Sequence, residues 1–166
     1  IIEAATGRSY GDNLQARILT PLGLTQTSLL EGQPDAELLP HAYYSTPFAY
    51  TTGEWNATQG WSAGAVVSTA EEFAIFLKAL FTGQLFREAA TLDLMRWHSD
   101  AGSNALGPGM SYGRGMLDNN GVLGHGGQTL GFQSDGGYLP AEDVTIVMWG
   151  NSAASEVSRS VVPALV

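Results

Sequence analysis

The 166-residue sequence contains no cysteine. That excludes a disulfide framework, a thiolate nucleophile and thiolate-bound metal, and it leaves the compartment open, because many exported proteins also do without cysteine. Basic residues are scarce: 7 Lys and Arg against 16 Asp and Glu give a net charge of −9. A chain this acidic, with no basic cluster, repels phosphate backbones and anionic membrane surfaces, so nucleic acid is not an expected partner. Long apolar runs are missing as well. A stretch such as Val144 to Trp149 is far too short to cross a bilayer, so no transmembrane segment is expected. Neither a charged-then-apolar signal segment nor an initiator methionine opens the chain. It begins Ile1-Ile2-Glu3-Ala4-Ala5-Thr6-Gly7, which reads as the last turns of a helix closed by glycine, and the expectation is a piece of a longer chain. What is present, 44% hydrophobic and 14% charged residues, suits one ordinary globular core.

Helical signals come first. Ser9 is placed to cap a helix through Leu14, Ile18 and Leu19 that ends at Pro21 and Gly23, neither of which favours continuation. From Thr25 to Ala57 the chain is rich in Pro, Gly, Thr and Tyr without a sustained period, predicting a long irregular excursion. Ser68-Thr69-Ala70-Glu71-Glu72 then offers two overlapping capping boxes, and Phe73, Phe76, Leu77, Leu80 and Phe81 recur at helical spacing up to Gly83. A further helix is predicted over Arg87 to Trp97. After it the period changes. Tyr112–Leu117, Val122–His125, Gly131–Leu139 and Val144–Trp149 read as four short strands turning at Asn119-Asn120-Gly121 and Ala141-Glu142-Asp143, an antiparallel meander over about 110–150. A terminal helix over 153–166 completes an α+β reading, with helices over 1–100 packed on the sheet.

The stretch that points to chemistry is Gly124-His125-Gly126-Gly127-Gln128-Thr129-Leu130-Gly131-Phe132. Glycine lets backbone approach a ligand with no Cβ in the way, and imidazole holds or passes a proton near neutrality. A glycine-rich hairpin with a surface histidine would show the same residues. The order of Ile2-Glu3-x-x-Thr6-Gly7, Ile18-Leu19-Thr20-Pro21-Leu22-Gly23-Leu24-Thr25-x-Thr27, Trp61-Ser62-Ala63-Gly64, Ser68-Thr69-Ala70 and Gly124-His125-x-Gly127-x-x-x-Gly131-Phe132 resembles the serine β-lactamase and penicillin-binding protein family. The likeness is to class C β-lactamases, related esterases and D-alanyl-D-alanine carboxypeptidases, over the C-terminal half of their catalytic domain.

In that family a Ser-x-x-Lys helix, a Tyr-x-Asn or Ser-x-Asn loop and a Lys/His-Thr/Gly-Gly strand converge. A serine nucleophile needs a base, and the tetrahedral oxyanion needs donors aimed at it. His125-Gly126-Gly127 fits the third element. The resemblance implies that the Gln128 backbone N–H is one oxyanion-hole donor and its carbonyl an acceptor for substrate, with His125 holding the charge balance around the nucleophile. Gly126 departs from the commoner Thr and removes a hydroxyl used on a substrate carboxylate, which leaves room for an ester hydrolase. Trp61 and Tyr43 are candidates to line the substrate cleft. Arg114, expected on the strand before the motif, is a candidate to grip a substrate carboxylate, against the ordinary reading of a solvated charge.

The other two motifs are absent. Lys78 is the sole lysine and follows Ile75 by three, and no Asn has Ser or Tyr two positions earlier. The resemblance therefore implies that the nucleophile lies upstream, in a missing N-terminal half of the same domain that is this chain's partner along with a small-molecule or peptide substrate. A rival reading uses Gly60-Trp61-Ser62-Ala63-Gly64 as a nucleophile elbow, with His125 and Asp100 or Asp118 completing a triad. An elbow must follow a buried apolar strand, and Thr51 to Gln59 is not one. A third reading is a binding module that holds a peptide or muropeptide without cleaving it. His41, His98 and His125 have no metal-ligand spacing, so neither metal nor organic cofactor is expected. Export to the periplasm or beyond the cell follows from the resemblance alone; an intracellular esterase would show the same residues.

Overall fold

The computed structural model describes residues 1–32, 39–43, 56, 59–97, 106–129 and 131–153. The chain opens with α1 (Ile2–Thr6), closed by Gly7 at φ 66°, whose N–H reaches the Glu3 carbonyl at 2.8 Å. Ser9 caps α2 (Tyr10–Leu14) by accepting the Asp12 N–H at 3.0 Å. α2 runs on through a π-helical turn (Gln15–Leu19) into α3 (Thr20–Leu22), and Gly23 at φ 68° ends it. Pro21 follows the π-helical turn, two residues before the helix ends at Gly23.

The described parts of the predicted excursion are not wholly irregular. β1 (Ser28–Leu29) pairs with β2 (Val66–Val67), and Tyr43 bridges Ser152. Between them lies the short α4 (Trp61–Gly64). Next comes α5 (Ala70–Phe81), capped by Thr69 through the Glu72 N–H at 3.2 Å. α6 (Ala89–Arg96) follows, shorter at both ends than its apolar pattern suggested. The terminal helix expected over 153–166 lies, beyond Ala153, outside the described residues.

Five strands form one antiparallel meander: β3 (Met110–Tyr112), β4 (Leu117–Asn119), β5 (Val122–Thr129), β6 (Phe132–Leu139) and β7 (Val144–Gly150), in that spatial order. The single strand expected over Tyr112–Leu117 is therefore two strands joined by a turn. Gly115 has φ 76°, the Gly113 N–H bonds the Met116 carbonyl at 2.8 Å, and the Arg114 N–H bonds the Met95 carbonyl at 2.8 Å. The end of α6 thus takes up backbone donors that a continuous strand would have given to a neighbour.

α5 lies across one face of the sheet. Leu77 and Phe81 are buried with Met116, Leu123 and Tyr138, and Phe73, Phe76 and Leu80 pack around them. The helix approaches closely because β6 carries no side chain at Gly136; a Cβ there would run into the Phe73 ring and lie 2.8 Å from Leu77 Cδ1. At the far side of the sheet Lys78 Nζ and Tyr138 Oη both donate to Asp143, at 2.8 and 3.0 Å, tying α5 to the β6–β7 turn.

Glu72 behaves differently from its predicted capping-box role. Instead of reaching back to the Thr69 N–H, its carboxylate crosses to the segment after α3, accepting the Gln26 N–H at 2.9 Å and the Thr27 hydroxyl at 2.5 Å. Burial pushes the Glu72 carboxyl up, but the bonds from Thr27, Gln26 and Thr25 outweigh it and hold it below the ordinary glutamate range. A carboxyl lowered in the folded state stabilises the fold above its unfolded pKa and loses that contribution as pH falls through the folded one. The melting-temperature gap between wild type and Glu72→Gln should therefore narrow as pH drops from about 5 to about 3; a gap constant with pH would contradict this.

Candidate active site on the open edge of β5

β5 carries Gly126 and Gly127 in succession, and its two halves differ. β4 pairs only with Val122, Leu123 and Gly124, whereas β6 pairs with Leu123 through Thr129. From His125 onward one edge of β5 has no strand partner among the described residues. The two-residue turns at each end fix which backbone groups face that edge. Asn119–Val122 and Thr129–Phe132 are the closing pairs of hairpins, and such pairs exchange hydrogen bonds. Counting by alternation from either end, Leu123, His125, Gly127 and Thr129 direct their N–H and C=O toward β6. Gly126 and Gln128 direct theirs to the open edge.

Side chains alternate the other way. His125 stands on the α5 face, opposite Gly136, and Gly126 on the other face, opposite Asp135. The strand expected over Val122–His125 thus runs on through the glycines to Thr129. His125 is exposed, and both ring nitrogens are engaged: Nε2 lies 2.8 Å from Tyr112 Oη and Nδ1 lies 2.5 Å from the Gly126 carbonyl. The Tyr112 and His125 rings meet edge to face at 5.5 Å. His125 and Gly124 form one wall of a cleft of about 670 Å³, whose floor is Phe73, Phe76, Leu77 and Leu80 of α5.

Asp135 is half-buried, and desolvation pushes its carboxyl up, against the opposing pull of the Gly136 N–H and the His125 charge. Its Oδ1 lies 3.2 Å from where a Cβ on Gly126 would sit. The glycine that departs from the commoner Thr thus has a carboxylate beside the vacated space.

The remaining candidates divide. Trp61, at φ 40° and 47% exposed, opens α4, and the same helix puts Gly64 against Thr129 at the far end of β5. Tyr43 runs beside Gly131, at the β5–β6 turn, and its N–H bonds the Asn151 carbonyl at 2.8 Å. Both therefore flank the end of the hairpin that carries Gln128. Arg114 lies in the turn between β3 and β4 rather than on a strand; Nη1 donates to the Leu94 carbonyl at 2.5 Å and the group stacks over Trp97 at 5.3 Å. It meets the C-terminus of α6, as cations do there.

The elbow reading loses its geometry. Gly60 is helical rather than the end of a strand, Ser62 lies on a short exposed helix, and Asp118 is spent on the Gly121 N–H at 2.8 Å. His125 is bonded to Tyr112 and Gly126. Asp100, like His98, lies outside the described residues. Among the described residues no group of three His, Asp or Glu could hold a metal ion, and no helix is long and apolar enough to cross a membrane. Two residues at the site escaped sequence reasoning, Tyr112 and Asp135. The strand register, Tyr112 opposite Leu117 and Leu117 opposite Gly124, puts Tyr112 in the row next to His125, and the two side chains meet at 2.8 Å.

A helix-backed antiparallel sheet with a His-Gly-Gly strand on a half-open edge defines the β-lactamase/transpeptidase-like class of fold. The chain belongs to the Beta-lactamase family, whose model matches residues 1–166. Among solved structures it is similar to a D-stereospecific amidohydrolase from Streptomyces sp., with TM-score 0.82 and 26% identity over 98% of this chain and 50% of that one. It is also similar to the D-amino acid amidase from Ochrobactrum anthropi SV3, with TM-score 0.75 and 28% identity over 93% of this chain and 46% of that one. A penicillin binding protein from Bacillus halodurans shares the fold at TM-score 0.77 and 16% identity, covering 99% and 52%. The chain spans about half the length of these proteins.

The glycines of β5 differ in how much they tolerate. A Cβ on Gly124 would collide with the Gly136 carbonyl and lie 2.8 Å from Gly137 Cα, whereas on Gly127 it would meet only Ser134 Oγ at 3.9 Å. Gly124→Ala should cost about 2–3 kcal/mol in chemical denaturation, and Gly127→Ala less than about 1 kcal/mol. Equal losses would mean that β5 and β6 are not packed this closely.

Proposed function

We propose that this chain supplies the oxyanion-hole side of a serine hydrolase working through an acyl-enzyme on D-aminoacyl amides and peptides. D-Ala-D-Ala peptides, β-lactams and small esters are the related substrates. The observation that carries the reading is the open edge of β5, where Gly126 and Gln128 turn their backbone groups outward beside His125. An N–H held rigidly in a strand, turned to an open edge and unpaired in the ladder, is a preorganised donor for the charge on a tetrahedral intermediate. The Gln128 carbonyl on the same edge accepts a substrate N–H, adding the substrate as one more strand. The nearly bare surface of Gly126 and Gly127 lets it approach. His125 stands on the cleft side to balance charge around the nucleophile, and Trp61 and Tyr43 line the outer end.

The nucleophile comes from a segment with Ser-x-x-Lys, which these residues lack; the partner is that N-terminal half of the domain. The likeness to a D-stereospecific amidohydrolase and a D-amino acid amidase supports amides as substrates. So does the Asp135 carboxylate beside Gly126, which disfavours a second carboxylate there. Kinship with penicillin-binding proteins supports a periplasmic or secreted location. A second reading is a module that binds peptide without cleaving it, since the open edge of β5 can add an extended peptide as a strand.

Backbone and side-chain roles separate at Gln128. In the longer chain that this reading requires, Gln128→Pro removes the edge N–H without breaking the ladder and should lower kcat on a D-aminoacyl amide by about 10²–10³. Gln128→Ala keeps the N–H and should stay within about threefold of wild type. Equal effects, or activity lost in Ser62→Ala, would overturn the assignment; peptide binding without turnover would establish the module instead.

A further inference from the structure

Tyr112 carries no role in the reading above, yet among the described residues its hydroxyl makes the one side-chain hydrogen bond to the His125 ring. We infer that Tyr112 is a positioning residue for His125: its phenol locks the imidazole as the Nδ1–H tautomer, with Nε2 the acceptor.

The assignment follows from donor chemistry. The Gly126 carbonyl oxygen can only accept, so Nδ1, 2.5 Å away, must carry a proton. In the neutral ring Nε2 is then the lone-pair nitrogen, and the Tyr112 hydroxyl 2.8 Å from it must donate. This is the tautomer that a free histidine side chain disfavours, so the two partners select it. Both come from the edge geometry. The Gly126 carbonyl faces the open edge by the alternation of the strand, and among the described residues β4 stops pairing with β5 at Gly124, which leaves Tyr112 room to reach His125.

The lock has a chemical consequence. The neutral ring has no free lone pair and no free N–H, so it does not enter the cleft as an independent base. Tyr112, 40% exposed, is the partner of the pair that a ligand can reach. A proton leaving a hydroxyl bound beside Tyr112 is accepted by the phenol oxygen while the phenol's own proton moves to Nε2. The product is a neutral phenol beside an imidazolium, and the donor is left as the alkoxide. The functional weight of this pair rests on the hydrolase reading, but the tautomer itself does not.

The test is a nitrogen-edited NMR spectrum of the histidine rings of this chain at about pH 8, where imidazole is neutral, with His125 assigned by its loss in His125→Gln. Wild type should show a protonated Nδ1 and an unprotonated Nε2. Tyr112→Phe keeps the ring and removes the donor, and should shift the tautomer ratio toward Nε2–H by about fivefold, the size of one neutral hydrogen bond. An Nε2–H tautomer in wild type overturns the inference without needing any variant, as does a ratio unmoved in a folded Tyr112→Phe. Neither result touches the hydrolase reading. Conversely, a locked tautomer in a protein that hydrolyses nothing sustains the inference and removes the function.

Discussion

The contact on which the rest depends is the packing of α5 against bare backbone. Gly136 gives β6 a flat patch, Phe73 and Leu77 occupy it, and the helix sits closer to the sheet than side chains would allow. Opposite Gly136 in the register is His125. The same absence of a side chain that admits α5 therefore gives the imidazole its place at the rim of the cleft. Gly124 repeats the device from the other strand, where only hydrogen fits against the Gly136 carbonyl. Close packing of this kind has little room to give, so the position of the β5 edge is set by the core rather than by loops.

The second constraint is an unequal pairing. An edge strand with unsatisfied N–H and C=O groups is a liability that proteins normally cover. Here β4 covers the first residues of β5 and leaves the rest. The uncovered stretch coincides with the glycines, the histidine and the outward backbone of Gln128. Unpaired donors in a rigid strand, a titratable ring and absent Cβ atoms in one place are the requirements of acyl-transfer chemistry. They are also what an extended peptide needs to add to a sheet. That overlap is why binding and hydrolysis remain separable only by the nucleophile.

Much of this was legible in the sequence where the signals are local. Ser9 and Thr69 cap helices because their hydroxyls reach an N–H three residues on, and Gly7 and Gly23 stop helices because they adopt positive φ. Asn120-Gly121 turns a hairpin for the same reason. The family resemblance, carried by the order of short motifs, held over the whole chain. What failed was non-local. Tyr112 to Leu117 alternates like a strand, but Met95 at the end of α6 draws the Arg114 N–H away and Gly115 turns the chain. The same contacts put Arg114 in the β3–β4 turn against the end of α6. Glu72 reads as a capping-box residue, yet partners 45 and 46 positions away take its carboxylate. The Tyr112–His125 bond depends on a three-strand register that no short pattern encodes.

The central claim is that the open edge of β5 works on an acyl-enzyme formed with a serine supplied from outside these residues. Intact-protein mass spectrometry after exposure to a fluorescent penicillin tests it most directly, comparing this chain with the longer chain that carries Ser-x-x-Lys. The account predicts a covalent adduct on the longer chain and none on this one. An adduct on this chain would contradict it, because the nucleophile would then lie among these 166 residues.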